Sequence, residues 1–176
     1  MLPLDLFLVR HGEAVNNKAI REYEKWLKLN WFLRLLRPRP FAPELLNRHH
    51  SRSPLTDKGR EQCLVVGDWL TDWLKEKKLP HFDRHIVSSH TRTLETAALL
   101  GLPDAKLELD FQLHERETGL WGVIPDKEWQ KRHAKSMRLG QNHRFYTPWP
   151  DGESNADVCN RLRNFINTLH RECGKK

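Results

Sequence analysis

Leu4-Asp5-Leu6-Phe7-Leu8-Val9-Arg10-His11-Gly12-Glu13 is the stretch on which the rest of the chain turns. Leu4, Leu6, Phe7, Leu8 and Val9 form an apolar run of strand length, far short of a membrane span. Gly12 stops it, and helix-compatible residues follow from Glu13. A strand that ends in a Gly turn and then a helix delivers its last side chains to the carboxyl edge of a sheet, where open α/β folds bind ligands. Those side chains are Arg10 and His11. Arg offers a planar fork to phosphate oxygens, and neutral His offers a nitrogen nucleophile. Taken alone, Arg-His-Gly reads more readily as an ordinary strand-end turn with a solvated Arg and a capping His, so the remaining residues have to decide.

The 176 residues fit one domain, expected to span 1–176, with enough length for a sizeable core. Hydrophobic content of 38%, with seven Trp and seven Phe, argues against disorder. A formal charge of +7 favours anionic partners: nucleic acid, an anionic membrane or phosphorylated molecules. Cys63, Cys159 and Cys173 are an odd number without metal-ligand spacing and read as reduced thiols of a cytoplasmic protein. The N-terminus lacks a basic n-region and a cleavage site, so no signal peptide is expected.

Residues 18–52 change character. Ile20, Tyr23, Leu27 and Trp31 fall at helical spacing, and Pro38 and Pro40 should stop that helix. Lys18, Arg21, Lys25, Lys28, Arg34, Arg37, Arg39, Arg48 and Arg52 face only Glu22, Glu24 and Glu44 in this segment. It reads as a basic lid over an anionic substrate, or as a surface that meets lipid or nucleic acid; a solvated insertion packed by its Trp and Leu residues stands about equal to the lid. Nucleic acid is not expected as a partner, since no binding motif accompanies the charge. His49-His50 suggests a metal site only weakly, because adjacent side chains on a helix or strand point apart.

Thr56 reads as the N-cap of a helix whose stripe is Val65, Val66, Trp69, Leu70, Trp73 and Leu74. His85 to Ser88 reads as a strand that turns into a helix bearing Arg92, and Lys106 to Leu109 as a further strand. Alternation of this kind indicates a parallel α/β sheet. Arg92 alone reads as a surface Arg in a first helical turn, mildly unfavourable against the positive end of the dipole unless an anion binds there. Glu115 is a candidate general acid, although its surroundings favour a solvated carboxylate paired with Arg116. Ser154 and Asp157 resemble a capping arrangement, ahead of a helix expected to bury Val158, Leu162, Phe165, Ile166 and Leu169.

Together these segments resemble the histidine phosphatase superfamily, the phosphoglycerate mutase-like group. The resemblance rests on Leu-Val-Arg10-His11-Gly12-Glu13 with Asn17, and on Pro54-Leu55-Thr56 with Gly59 and Gln62. It rests further on Ser88 with Arg92 and Thr96-Ala97, on Leu113 with Glu115, and on Gly152-Glu153-Ser154 with Asp157 and Arg161. It runs from about Leu4 to the last helix, apart from the 18–52 insertion. It implies a three-layer α/β/α sandwich with a mostly parallel central sheet. It also implies a phosphate pocket: His11 as phosphorylated nucleophile, Arg10 and Arg92 holding phosphate oxygens, Glu115 as proton donor and Asn17 lining the pocket. No metal and no cofactor is needed for such chemistry.

The family carries a second pocket His just after a late strand. His114, His133, His143 and His170 do not follow an apolar strand, and the chain stops at Lys176, where that strand would be expected to begin. The chain is therefore read as C-terminally shortened, a fragment or a natural truncation lacking its C-terminal strand. The expected function is a phosphomonoester hydrolase acting on a phosphorylated small molecule or phosphoprotein through a phosphohistidine. A non-catalytic phosphate- or phosphoprotein-binding module, favoured by the missing second pocket His, and a phosphoglycerate mutase-type phosphotransferase are the alternatives.

Overall fold

The computed structural model describes residues 5–37, 50–119, 145–148 and 150–173. Pro38, Arg39, Pro40, Glu44, Arg48 and His49 lie outside the described residues, as do Leu4, His133, His143 and the last three positions. Residues 10–109 make one compact unit, and residues up to 9 together with those from 110 onward make another.

The first unit contains helices α1 (Val15–Leu27), α2 (Trp31–Leu36), α3 (Asp57–Lys77) and α4 (Thr91–Leu99), with strands β1 (His85–Val87) and β2 (Leu107–Leu109). β1 and β2 pair in parallel, His85 opposite Leu107 and Val87 opposite Leu109, with α4 as the connection between them. This is the α/β arrangement expected from the alternation. The second unit holds a 3-10 turn at Phe111–Leu113 and helix α5 (Asn155–Cys173), which packs on that turn. Among the described residues no helix is long and apolar enough to cross a membrane.

Local signals set the helix ends. The Thr56 hydroxyl accepts the Gly59 N–H at 3.0 Å and starts α3. Lys78 ends α3 in the left-handed region, with Lys75 and Lys77 in the last turn, where the dipole is negative. Ser154 Oγ accepts the Asp157 N–H at 3.1 Å, and Asp157 Oδ2 accepts the Ser154 N–H at 2.9 Å, a reciprocal cap.

Four expectations need correction. Residues 5–9 form no strand, and Leu8 is 88% exposed. Strand-forming composition favours an extended backbone, but a strand needs a ladder of hydrogen bonds to a neighbouring strand, and the strand pairing described, β1 with β2, does not include this run. Pairing comes later instead: Ala14 bridges Leu55, with Thr56 N–H donating to Glu13 O at 2.8 Å and Val15 N–H to Pro54 O at 2.9 Å.

The helix expected to pass through Trp31 is broken in two. Asn30 accepts the Leu33 N–H at 2.9 Å, and its short amide side chain suits an N-cap better than a helix interior. On α3 the buried face is Gly59, Cys63, Gly67, Leu70 and Leu74, while Val65 and Trp69 are exposed. Close approach explains this choice. A Cβ on Gly67 would stand 2.1 Å from Leu100 O, so small residues mark the contact face and an apolar count points elsewhere. On α5 only Leu169 is buried among the described residues, and Ile166 is exposed.

Candidate active site

The turn at Gly12 is fixed by residues far away in the chain. Its buried N–H donates to Thr96 Oγ1 at 3.2 Å, and that hydroxyl donates to Arg92 O at 2.7 Å. Thr96 thus ties the turn carrying His11 to the helix carrying Arg92. Cys63 Sγ approaches the same oxygen at 3.5 Å. A Cβ at Gly12 would lie 2.3 Å from Gly59 O and 2.9 Å from Cys63 Sγ, so the two backbones meet only because both residues are glycine.

His11 is half-buried, and its Nδ1 lies 2.7 Å from Gly12 O. A carbonyl oxygen only accepts, so Nδ1 carries the proton, and in the neutral ring Nε2 carries the lone pair. Arg92, in the first turn of α4, is 2% exposed, which overturns its reading as a surface Arg. Arg10 is exposed, and Asn17 sits half-buried in the first turn of α1. Arg10, His11, Asn17 and Arg92 therefore all belong to the first unit.

Glu13 fastens the turn from the other side. Its N–H donates to Gln62 Oε1 at 2.9 Å, its carboxylate accepts Thr56 Oγ1 at 3.0 Å, and Arg21 pairs with it. The Arg21 hydrogen bond holds this carboxyl below the usual range, overcoming partial burial, with help from Thr56 and the charge of Lys58. A groove of about 470 Å³ lined by Glu13, Lys18, Arg21, Lys58 and Arg60 lies beside it. None of Arg10, His11, Asn17 or Arg92 lines this groove.

Glu115 is exposed and belongs to the second unit, two residues before a clamped segment. Glu153 accepts Arg161 Nε at 2.8 Å, Arg161 Nη2 at 3.0 Å and the Glu117 N–H at 3.0 Å, with His114 Nε2 at 3.4 Å. Burial alone would raise the Glu153 pKa, but Arg161 and the Glu117 N–H outweigh it and hold the carboxyl below its usual value. Arg116 Nη1 donates to Asn155 Oδ1 at 3.2 Å.

Sequence reasoning missed two features of this arrangement. Thr96 was part of a motif without a role, although a Thr one helical turn after Arg92 is the signal for it. The Glu153–Arg161 pair, eight residues apart, has no such local signal.

The model of the histidine phosphatase superfamily (branch 1) matches residues 45–176. The chain belongs to this superfamily. That match covers Arg92 and Glu115. The 6-phosphofructo-2-kinase/fructose-2,6-bisphosphatase of Caenorhabditis elegans, 24% identical over 172 residues, aligns with 98% of the chain and so includes Arg10 and His11. The corresponding protein of Gallus gallus is 27% identical over 120 residues, 67% of the chain. The chain spans 30% and 23% of the length of these relatives.

Among solved structures, the α-ribazole phosphatase of Shigella flexneri superposes with a TM-score of 0.66 at 20% identity, over 94% of this chain and 67% of that one. A mycobacterial glucosyl-3-phosphoglycerate phosphatase in complex with VO3 gives 0.57 at 20% identity, over 92% and 65%. The histidine phosphatase fold, phosphoglycerate mutase-like and α/β, is thereby shown for this chain.

Proposed function

We propose that this histidine phosphatase superfamily member hydrolyses phosphate monoesters through a phosphohistidine on His11. The observation that carries the proposal is the Nδ1 to Gly12 O bond at 2.7 Å, which sets the tautomer that places the lone pair of the neutral ring on Nε2, the nitrogen assigned to attack. Nε2 attacks phosphorus while the ester P–O bond breaks, and Glu115, in the role the family assigns to it, protonates the leaving alkoxide. Water then attacks the phosphohistidine and gives its proton to Glu115, releasing inorganic phosphate and restoring His11. Arg10 and Arg92 hold the equatorial oxygens, whose charge must be matched by fixed donors, and Asn17 lines the pocket.

A buried Arg92 cation supports this reading, because a desolvated guanidinium binds an anion more strongly than a solvated one. The substrate class is a phosphorylated small molecule or phosphoprotein, and no metal or cofactor takes part. Three free thiols fit a cytoplasmic location.

The test is transfer of labelled phosphate from a generic monoester. An acid-labile adduct should form on the protein and vanish in His11→Ala. A label that persists in that variant would reassign the nucleophile. Vanadate binding without any label or turnover would favour a non-catalytic phosphate-binding module.

A further inference from the structure

We propose that the hairpin formed by α1 and α2 docks this protein on the surface of anionic lipid bilayers. The inference is independent of the phosphatase reading. α2 reads Trp-Phe-Leu-Arg-Leu-Leu, and Trp31, Phe32, Leu33, Leu35 and Leu36 are all exposed, Trp31 and Leu35 at 75%. A helix that is apolar around its circumference is ordinarily buried, and this one is displayed.

Its shape is held in advance. Asn30 caps its start, Trp31 and Phe32 meet edge to face with ring centroids 6.0 Å apart, and Trp26 Nε1 donates to Arg37 O at 3.3 Å. That last bond ties the far end of α2 back to α1.

Charge says what covers the patch. Residues 15–37 carry six basic side chains (Lys18, Arg21, Lys25, Lys28, Arg34 and Arg37) and two acidic ones, Glu22 and Glu24. Lys18, Lys25, Lys28 and Arg37 are exposed. Aromatic and Leu side chains beside exposed cations match the headgroup boundary of an anionic leaflet, where the apolar part enters the acyl edge and the cations meet lipid phosphates. A second copy fits poorly, because a two-fold contact would set these cations against their own images. Single-stranded nucleic acid would engage the cations and rings but leave Leu33, Leu35 and Leu36 in water.

The experiment is co-sedimentation of the full chain with phosphatidylcholine vesicles, with and without phosphatidylglycerol. Binding should require phosphatidylglycerol and weaken with salt. Trp31→Ser combined with Phe32→Ser should weaken it roughly tenfold or more through lost apolar burial. Lys25→Gln with Lys28→Gln should weaken it on the order of 30-fold, and it tests the proposal independently if the first variant folds poorly. Circular dichroism should show both variants folded, since the altered side chains are exposed. No binding to phosphatidylglycerol vesicles would overturn the proposal. So would undiminished binding by the Trp31/Phe32 variant, a dimer in sedimentation that this variant dissolves, or stronger binding to single-stranded RNA than to vesicles.

Discussion

Thr96→Val tests whether the site is held together through a single hydroxyl. Valine keeps the shape and replaces the oxygen by a methyl group. Arg92 O loses one donor but lies inside α4, where the helix ladder still serves it. Gly12 N–H is different: it is buried and donates to Thr96 Oγ1 at 3.2 Å, and nothing else in the substituted side chain can accept it. Orphaning a buried N–H costs about 1–3 kcal/mol. For a protein of this size each kcal/mol lowers Tm by about 2–4 °C, so a fall of roughly 2–12 °C is expected. Thr96→Ser keeps both hydrogen bonds and loses one methyl, about 1 kcal/mol. Thermal and denaturant unfolding followed by circular dichroism would rank the three proteins. Labelling of His11 by phosphate should follow the same ranking, because Gly12 also supplies the carbonyl that orients the imidazole. Wild-type stability in Thr96→Val, or an equal loss in Thr96→Ser, would refute the reasoning.

Further outcomes follow from other contacts. Gly67→Ala should destabilise by about 1–3 kcal/mol in urea unfolding. The new Cβ meets Leu100 O at 2.1 Å, and that overlap with backbone outweighs the gain of up to about 1 kcal/mol in helix propensity; a stabilised variant would contradict the close approach. Glu153 has a folded pKa below the ordinary 4.5, so its contribution is present above pH 4.5 and is lost as pH falls through the folded value. Glu153→Gln should therefore be less stable than wild type at neutral pH, with the gap closing on acidification. A gap that stays constant with pH would remove the carboxylate from the clamp.

Much of the candidate site was legible because its signals are local. Arg10 and His11 precede a Gly turn, Arg92 follows a strand, and Thr56 caps a helix by reaching a residue three positions on. The same holds for Ser154 and Asp157. Such contacts are decided by neighbours along the chain, whose identities are printed next to one another. The parallel pairing of β1 with β2 was equally readable from two short apolar runs separated by a helix.

Burial and pairing were decided elsewhere. Whether residues 5–9 become a strand depends on a neighbouring strand, which no property of the run itself supplies. Which face of α3 turns inward depends on how closely α3 approaches the residues near Leu100, and that distance rewards Gly and Cys over Val and Trp. Arg92 looked like a surface cation until the folded unit enclosed it. Thr96 and Gly12 are 84 positions apart, and only folding brings the hydroxyl to the N–H. Composition and spacing along the chain supply the residue types of this candidate site. Its geometry comes from contacts between distant segments, because a hydrogen bond or a steric limit acts through space and leaves no periodic trace in the sequence.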